Sequence, residues 1–204
     1  VTVNANVSCL SVTINSGATL TFTASKILTV GSGGITDNGT VTMNGGDITL
    51  SGAAPFVLGS SSSFTWQPAT NTIGGATLFT NGIESFSSSS TLIIKKWYSY
   101  TTALGSVVTG NFGNLTMNSL SGTSIFEWNQ NNQFETHLIK GTLTIDQGWV
   151  TFDKSGSISN TTVNNITLVN ANSYLIFHNG THPSSFTVNT GVINTGTWAV
   201  CKIF

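Results

Sequence analysis

The chain has 204 residues, enough for one substantial domain or two small ones, and a hydrophobic fraction of 39% supplies material for a core. Only 6% of its residues are Asp, Glu, Lys or Arg, where an ordinary soluble domain carries about 25%. All six basic residues are lysines and the net charge is -1, which argues against nucleic acid, anionic lipid and electrostatically steered substrates as partners.

A short unit recurs from the first residues onward: apolar, threonine, apolar. It reads Val12-Thr13-Ile14, Leu20-Thr21-Phe22, Leu28-Thr29-Val30, Val41-Thr42-Met43 and Ile48-Thr49-Leu50, with Ile35-Thr36 as a partial copy. This alternation has the period of a strand with one buried face, and β-branched threonine suits the exposed side. Between the units lie turn formers, Asn15-Ser16-Gly17, Gly31-Ser32-Gly33-Gly34, Asn38-Gly39 and Asn44-Gly45-Gly46. Three such steps make a coil of about 21 to 24 residues, a length at which a chain winds into a three-sided parallel helix, and the expected fold is a right-handed parallel β-helix.

Helical spacing is not sustained anywhere, so the expected class is all-β. Residues 1–80 are expected to form solenoid coils. The segment 81–110 breaks the pattern with a serine run and the stretch from Thr91 to Tyr100, and is expected to be an irregular aromatic insertion. The unit returns over 111–204 as Leu115-Thr116-Met117, Leu143-Thr144-Ile145, Val150-Thr151-Phe152, Ile166-Thr167-Leu168 and Phe186-Thr187-Val188, with Leu175-Ile176-Phe177 as an apolar copy. Tandem β-sandwiches are the competing architecture, since they too have short strands at regular spacing. The close steps of the first quarter favour the solenoid.

The stretches 6–21, 33–43 and 112–117, rich in Thr, Asn and Gly, resemble repeats of large secreted surface proteins of the Bacteroidota. Such proteins are cargo of type IX secretion, with adhesin-like regions similar to autotransporter passengers. The resemblance implies a secreted or cell-surface location and an adhesive or scaffolding role, and carries no site residues.

No apolar run approaches the roughly 20 residues of a membrane span, so no membrane insertion is expected. Val1 opens on strand-like sequence and Phe204 closes an apolar stretch, as expected of a mature form or fragment whose open ends self-associate or contact the rest of a larger chain. Cys9 and Cys201 would stand about 40 Å apart in a linear solenoid, too far to pair, and are expected to be small core residues.

Catalysis finds little support. The acids are Asp37, Asp47, Glu84, Glu127, Glu135, Asp146 and Asp153; Glu127 with Glu135, or Asp146 with Asp153, could approach as a glycosidase pair, but no arginine exists to support them. His178 and His182 flank Gly180 and precede Pro183, which suits a loop better than a metal site, and neither a metal nor another cofactor is expected. The six Asn-x-Ser/Thr sequons, Asn6, Asn38, Asn114, Asn160, Asn165 and Asn179, are expected from composition alone.

Outward threonines raise ice binding, because stacked threonine arrays can order water and Thr19 and Thr21 stand one 21-residue coil before Thr40 and Thr42. The same step leads next to Ser61 and Ser63, where the ladder is expected to stop and leave an ordinary solvated surface. Aromatic residues are the remaining candidates, since sugar rings stack on them and low charge suits neutral glycans. Trp97, Tyr98 and Tyr100, with Lys95 and Lys96, form the candidate binding site, whereas Trp66, Trp128, Trp149 and Trp198 are expected to pack in the core or over a corner. The function expected is a non-enzymatic, stiff adhesin stalk or passenger. The alternative is a domain that binds glycans or cell-surface proteins, and a polysaccharide-degrading β-helix is a remote third.

Overall fold

The alternating units become strands whose apolar members point inward, and each strand pairs in parallel with its counterpart one coil away. The computed structural model describes residues 1–67, 83–95, 111–118, 125–127, 134–151, 158–169, 173–176, 185–189, 193–195 and 200–202. Among these residues there is no helix, and every strand pairing is parallel. The chain is therefore a β-solenoid. Antiparallel sandwiches, whose sheets are built from hairpins and Greek keys, are excluded by the parallel register.

The strands fall into three ladders; ladder III is paired without a break from the first coil to the last, whereas among the described residues the pairings of ladders I and II come in two runs each. Ladder I holds residues 7–9, then 27–30, then Asp47–Leu50, and in the second half Ile125–Glu127, residues 149–151, Ser173–Ile176 and Val200–Lys202. Ladder II holds residues 11–14, 34–37, Pro55–Leu58 and Ile83–Phe86, and later Asn111–Phe112, residues 134–139 and 158–163, and Ser185–Val188. Ladder III is the longest: Thr2–Val3, Thr19–Phe22, Thr40–Met43, Ser63–Trp66, Thr91–Ile94, Asn114–Asn118, then residues 142–145 and 165–168, and Ile193–Thr195.

Coil length varies along ladder III. Leu20 pairs with Val41 at a step of 21, Val41 with Phe64 at 23, Phe64 with Leu92 at 28, and Leu92 with Leu115 at 23. In the 23-residue coil from Val41 to Phe64 the extra residues enter between strands, where a corner can lengthen without disturbing the register. The corner from ladder II to ladder III repeats its own backbone bonds: Asn38 N–H donates to Ile14 O at 2.8 Å, Gly59 N–H to Asp37 O at 2.7 Å, and Ser87 N–H to Leu58 O at 2.8 Å.

The inward residues form one continuous apolar core. Ladder III contributes Phe22, Val41, Met43, Phe64, Trp66, Leu92, Ile94, Leu115 and Met117, all buried. Trp66 thus lies in the core, as the sequence suggests. Phe56 of ladder II meets Phe64 and Phe86 edge-on, each with ring centroids 5.2 Å apart, and Phe86 stands 5.6 Å from Phe112. This aromatic column carries ladder II from the first half into the second.

Two expectations are corrected. Residues 83–95, assigned to an irregular insertion, supply two regular strands, because Thr91-Leu92-Ile93-Ile94 keeps the inward alternation with Ile93 in place of threonine. Residues 96–110 lie outside the described residues. Cys9, expected in the core, is an exposed free thiol, since among the described residues no strand pairs with residues 7–9 on the side away from Ile27–Asp37. For Cys201 the register alone is described: it pairs with Leu175.

Candidate functional site

Lys95, the first of the expected binding residues, follows directly on Thr91–Ile94. Its backbone N–H donates to Trp66 O at 2.9 Å, which fixes it to the coil below, and it is partly exposed. Lys96, Trp97, Tyr98 and Tyr100 lie outside the described residues, as do Trp128, Trp198, His178, His182 and Asp153. Trp149 pairs in register with Tyr174 on ladder I.

The acids divide by environment. Asp37 is fully buried, 0% exposed, and pairs with Leu58 at the end of its strand. Burial pushes its carboxyl up to about 6, against the Gly39 N–H, which donates to Oδ1 at 2.9 Å and pulls it down. Burial likewise raises the Asp47 carboxyl, opposed by the Ile48 N–H at 2.8 Å. Asp146 accepts a hydrogen bond from Asn118 Nδ2. Although the turn former Asn38-Gly39 follows it directly, Asp37 takes the second inward position of the unit Ile35-Thr36-Asp37, where no substrate reaches it. Among the described residues no three His, Cys, Asp or Glu side chains cluster as metal ligands.

The most regular surface feature is the outward side of ladder III. One column runs Thr2, Thr21, Thr42, Thr65, Ile93, Thr116, Thr144, Thr167, so that threonine holds every position but one before Asn194 follows. Two residues earlier on each strand, a second column runs Thr19, Thr40, Ser63, Thr91 and Asn114, and resumes with Thr142 and Asn165. Asn114 and Thr142 are joined by a bond from Thr142 N–H to Asn114 Oδ1 at 3.0 Å. Sequence reading ends this array at Ser61 and Ser63, because it holds the coil at 21 residues. The coil is 23 residues there, so Thr42 meets Thr65, Thr40 meets Ser63, and Ser61 falls in the corner.

Exposure along the main column is uneven. Thr2 is exposed and Thr21, Thr42, Thr116, Thr144 and Thr167 are partly exposed, whereas Thr65 is only 7% exposed. The accessible threonines therefore form two patches, one on either side of Thr65. The hydroxyls of Thr21, Thr42, Thr116, Thr144 and Thr167 have no hydrogen-bond partner among the described residues. Neither column contains a charged residue.

Comparison with protein-family models, with curated proteins and with solved structures finds no match to this chain. The local chemistry of the coils is accordingly the basis for a functional reading.

Proposed function

We propose that this chain is a non-enzymatic, stiff, repeat-built segment of a larger secreted or cell-surface protein, acting as an adhesin stalk or passenger. The observation that carries the reading is the single apolar core running through in-register parallel ladders. In such a stack each coil is stabilised mainly by its neighbours, and bending the rod strains backbone hydrogen bonds on three ladders at once. Burial of Asp37 in that core, beyond reach of a substrate, supports a scaffolding role over hydrolysis. A surface built from hydroxyls and amides instead of charges supports exposure to the extracellular medium.

Small-angle scattering on the isolated chain tests the rod: at about 4.8 Å per coil the particle should be elongated, with an axis of about 40 Å. Pulling along that axis should extend it in steps of one coil. A compact isotropic particle, or a flexible one extending without steps, would count against the reading. Antibody labelling of intact source cells tests the location, and a segment accessible only after lysis would contradict it.

A further inference from the structure

We propose that the two outward columns of ladder III form an ice-binding surface. Their spacing in two directions carries the inference. Successive coils set equivalent side chains about 4.8 Å apart, and the Thr-x-Thr pair on each strand sets its members roughly 6.6 Å apart. Both repeats lie near oxygen–oxygen repeats of hexagonal ice. A single hydroxyl gains almost nothing from ice, because liquid water satisfies it equally well. An array held at lattice spacing gains at every site together, with its ordering already achieved in folding.

The residue type suits this role. Threonine has a restricted χ1, so stacked copies hold hydroxyl and methyl in a repeated arrangement. The hydroxyls of Thr21, Thr42, Thr116, Thr144 and Thr167 are not taken by protein groups among the described residues, which leaves them to water. The methyl groups between them order water around small apolar patches. A lysine or carboxylate would organise its own hydration shell out of step with the lattice, and neither column contains one.

Ladder II does not match this pattern, and in the first half ladder I stacks only Thr29 and Thr49 after Ser8 among the described residues. On ladder II the outward column reads Thr13, Thr36, Val57, Ser85, losing threonine at the third coil. The sealed Thr65 splits the ladder III array, so ice contact is made by two patches, around Thr21 and Thr42 and around Thr116, Thr144 and Thr167. This inference does not rest on the stalk reading: rod shape and ice affinity are measured separately, and either can fail alone.

The test is ice recrystallisation and thermal hysteresis measured with the whole chain, its fold checked by circular dichroism and melting. Thr42→Tyr and Thr144→Tyr place bulk in one patch each, and both positions are partly exposed, so neither change fills the core. Thr13→Tyr and Thr29→Tyr, at exposed positions on ladders II and I, are controls. The expected result is hysteresis and inhibited recrystallisation by the native chain, a partial loss in each single patch variant, a full loss in the double variant, and no loss in the controls. A folded native chain without effect on ice overturns the proposal. So does a double variant as active as the native chain, or an equal loss in a folded control. Binding to a crystalline polysaccharide that is lost in the same double variant, without any effect on ice, would overturn it in favour of a glycan surface.

Discussion

Asp37 stands in register with Leu58 on the next coil, so a carboxyl occupies a position that apolar side chains hold above and below it. Its Oδ1 accepts the Gly39 N–H, while Oδ2 has no partner among the described residues. The protonated form is therefore the one the fold tolerates better.

This makes stability depend on pH in a defined direction. The carboxyl titrates near 3.8 in the unfolded chain and about 6 in the folded one, so between those values the folded state binds more protons. Stability is full below about pH 4 and falls as pH rises to about 6, by about 3 kcal/mol for this group. Asp47, also shifted upward, adds a change of the same sign. Urea unfolding from pH 3.5 to 7.5 should show this decline, and Asp37→Asn should remove most of it while stabilising the chain at neutral pH. A native chain whose stability rises over that interval would refute the assignment.

Two glycines with similar backbone angles should respond differently to a methyl group. Gly17 has φ +78 and open space for 4 Å around where a Cβ would sit, so Gly17→Ala meets only the left-handed backbone penalty of about 1 kcal/mol. Gly34 has φ +69, and a Cβ there would lie 2.0 Å from the carbonyl oxygen of Pro55 on the next coil. Backbone on both coils would have to separate, so Gly34→Ala should cost at least about 3 kcal/mol or prevent folding. Melting temperatures of the two variants decide this, and equal losses would contradict the close approach.

Phe56 links the two halves of the aromatic column through Phe64 and Phe86. Removing its ring leaves a cavity that stacked coils cannot close without changing register, so Phe56→Ala should cost about 3–5 kcal/mol and Phe56→Leu less than half as much. Urea titration followed by both tryptophan fluorescence and far-UV dichroism checks this. Because neighbouring coils supply most of the stability, the Ala variant should also separate the two signals into distinct transitions.

The strands are legible in the sequence where period and turn chemistry are local. Leu20-Thr21-Phe22 and Val41-Thr42-Met43 announce an inward pair and an outward threonine, and the structure pairs them residue for residue. Coil length is less legible, because it depends on how much chain a corner holds, and corner residues such as Ser60 and Ser61 fit loops of several lengths. A fixed step of 21 sets Ser61 and Ser63 beside Thr40 and Thr42. The longer coil instead sets Ser63 between Thr40 and Thr91, and Thr65 continues the threonine column from Thr42.

The strand Thr91–Ile94 is hidden for a different reason. Its outward position holds Ile93, so the apolar-threonine-apolar unit is absent although the inward alternation of Leu92 and Ile94 is intact. Asp37 is hidden because a carboxylate beside Asn38-Gly39 reads as a turn residue, whereas the strand continues through it to close its register with Ile14 and Leu58. Of the expected aromatic site only Lys95 falls among the described residues. The full threonine columns require the pairing of distant rungs, which no local pattern supplies.

Cys9 offers a last test, of the exposed side of the first coil. It pairs with Val30 on ladder I, and its Sγ lies 3.9 Å from Thr29 O, yet the side chain is open to solvent and free of any disulfide. An exposed thiol is alkylated in the native state, whereas a core thiol reacts only as the coils open. Brief treatment with iodoacetamide under native conditions, followed by peptide mass spectrometry, should therefore modify Cys9 at a rate close to that in urea. Under oxidising conditions the same thiol should yield a disulfide-linked dimer, seen on a non-reducing gel and absent from Cys9→Ser. Protection of Cys9 from alkylation by several orders of magnitude in the folded chain would mean that residues 7–9 are covered, as they would be if a second copy paired with that open strand edge in solution. Sedimentation at rising concentration separates those cases, because a covered edge requires an associating species and an exposed thiol does not.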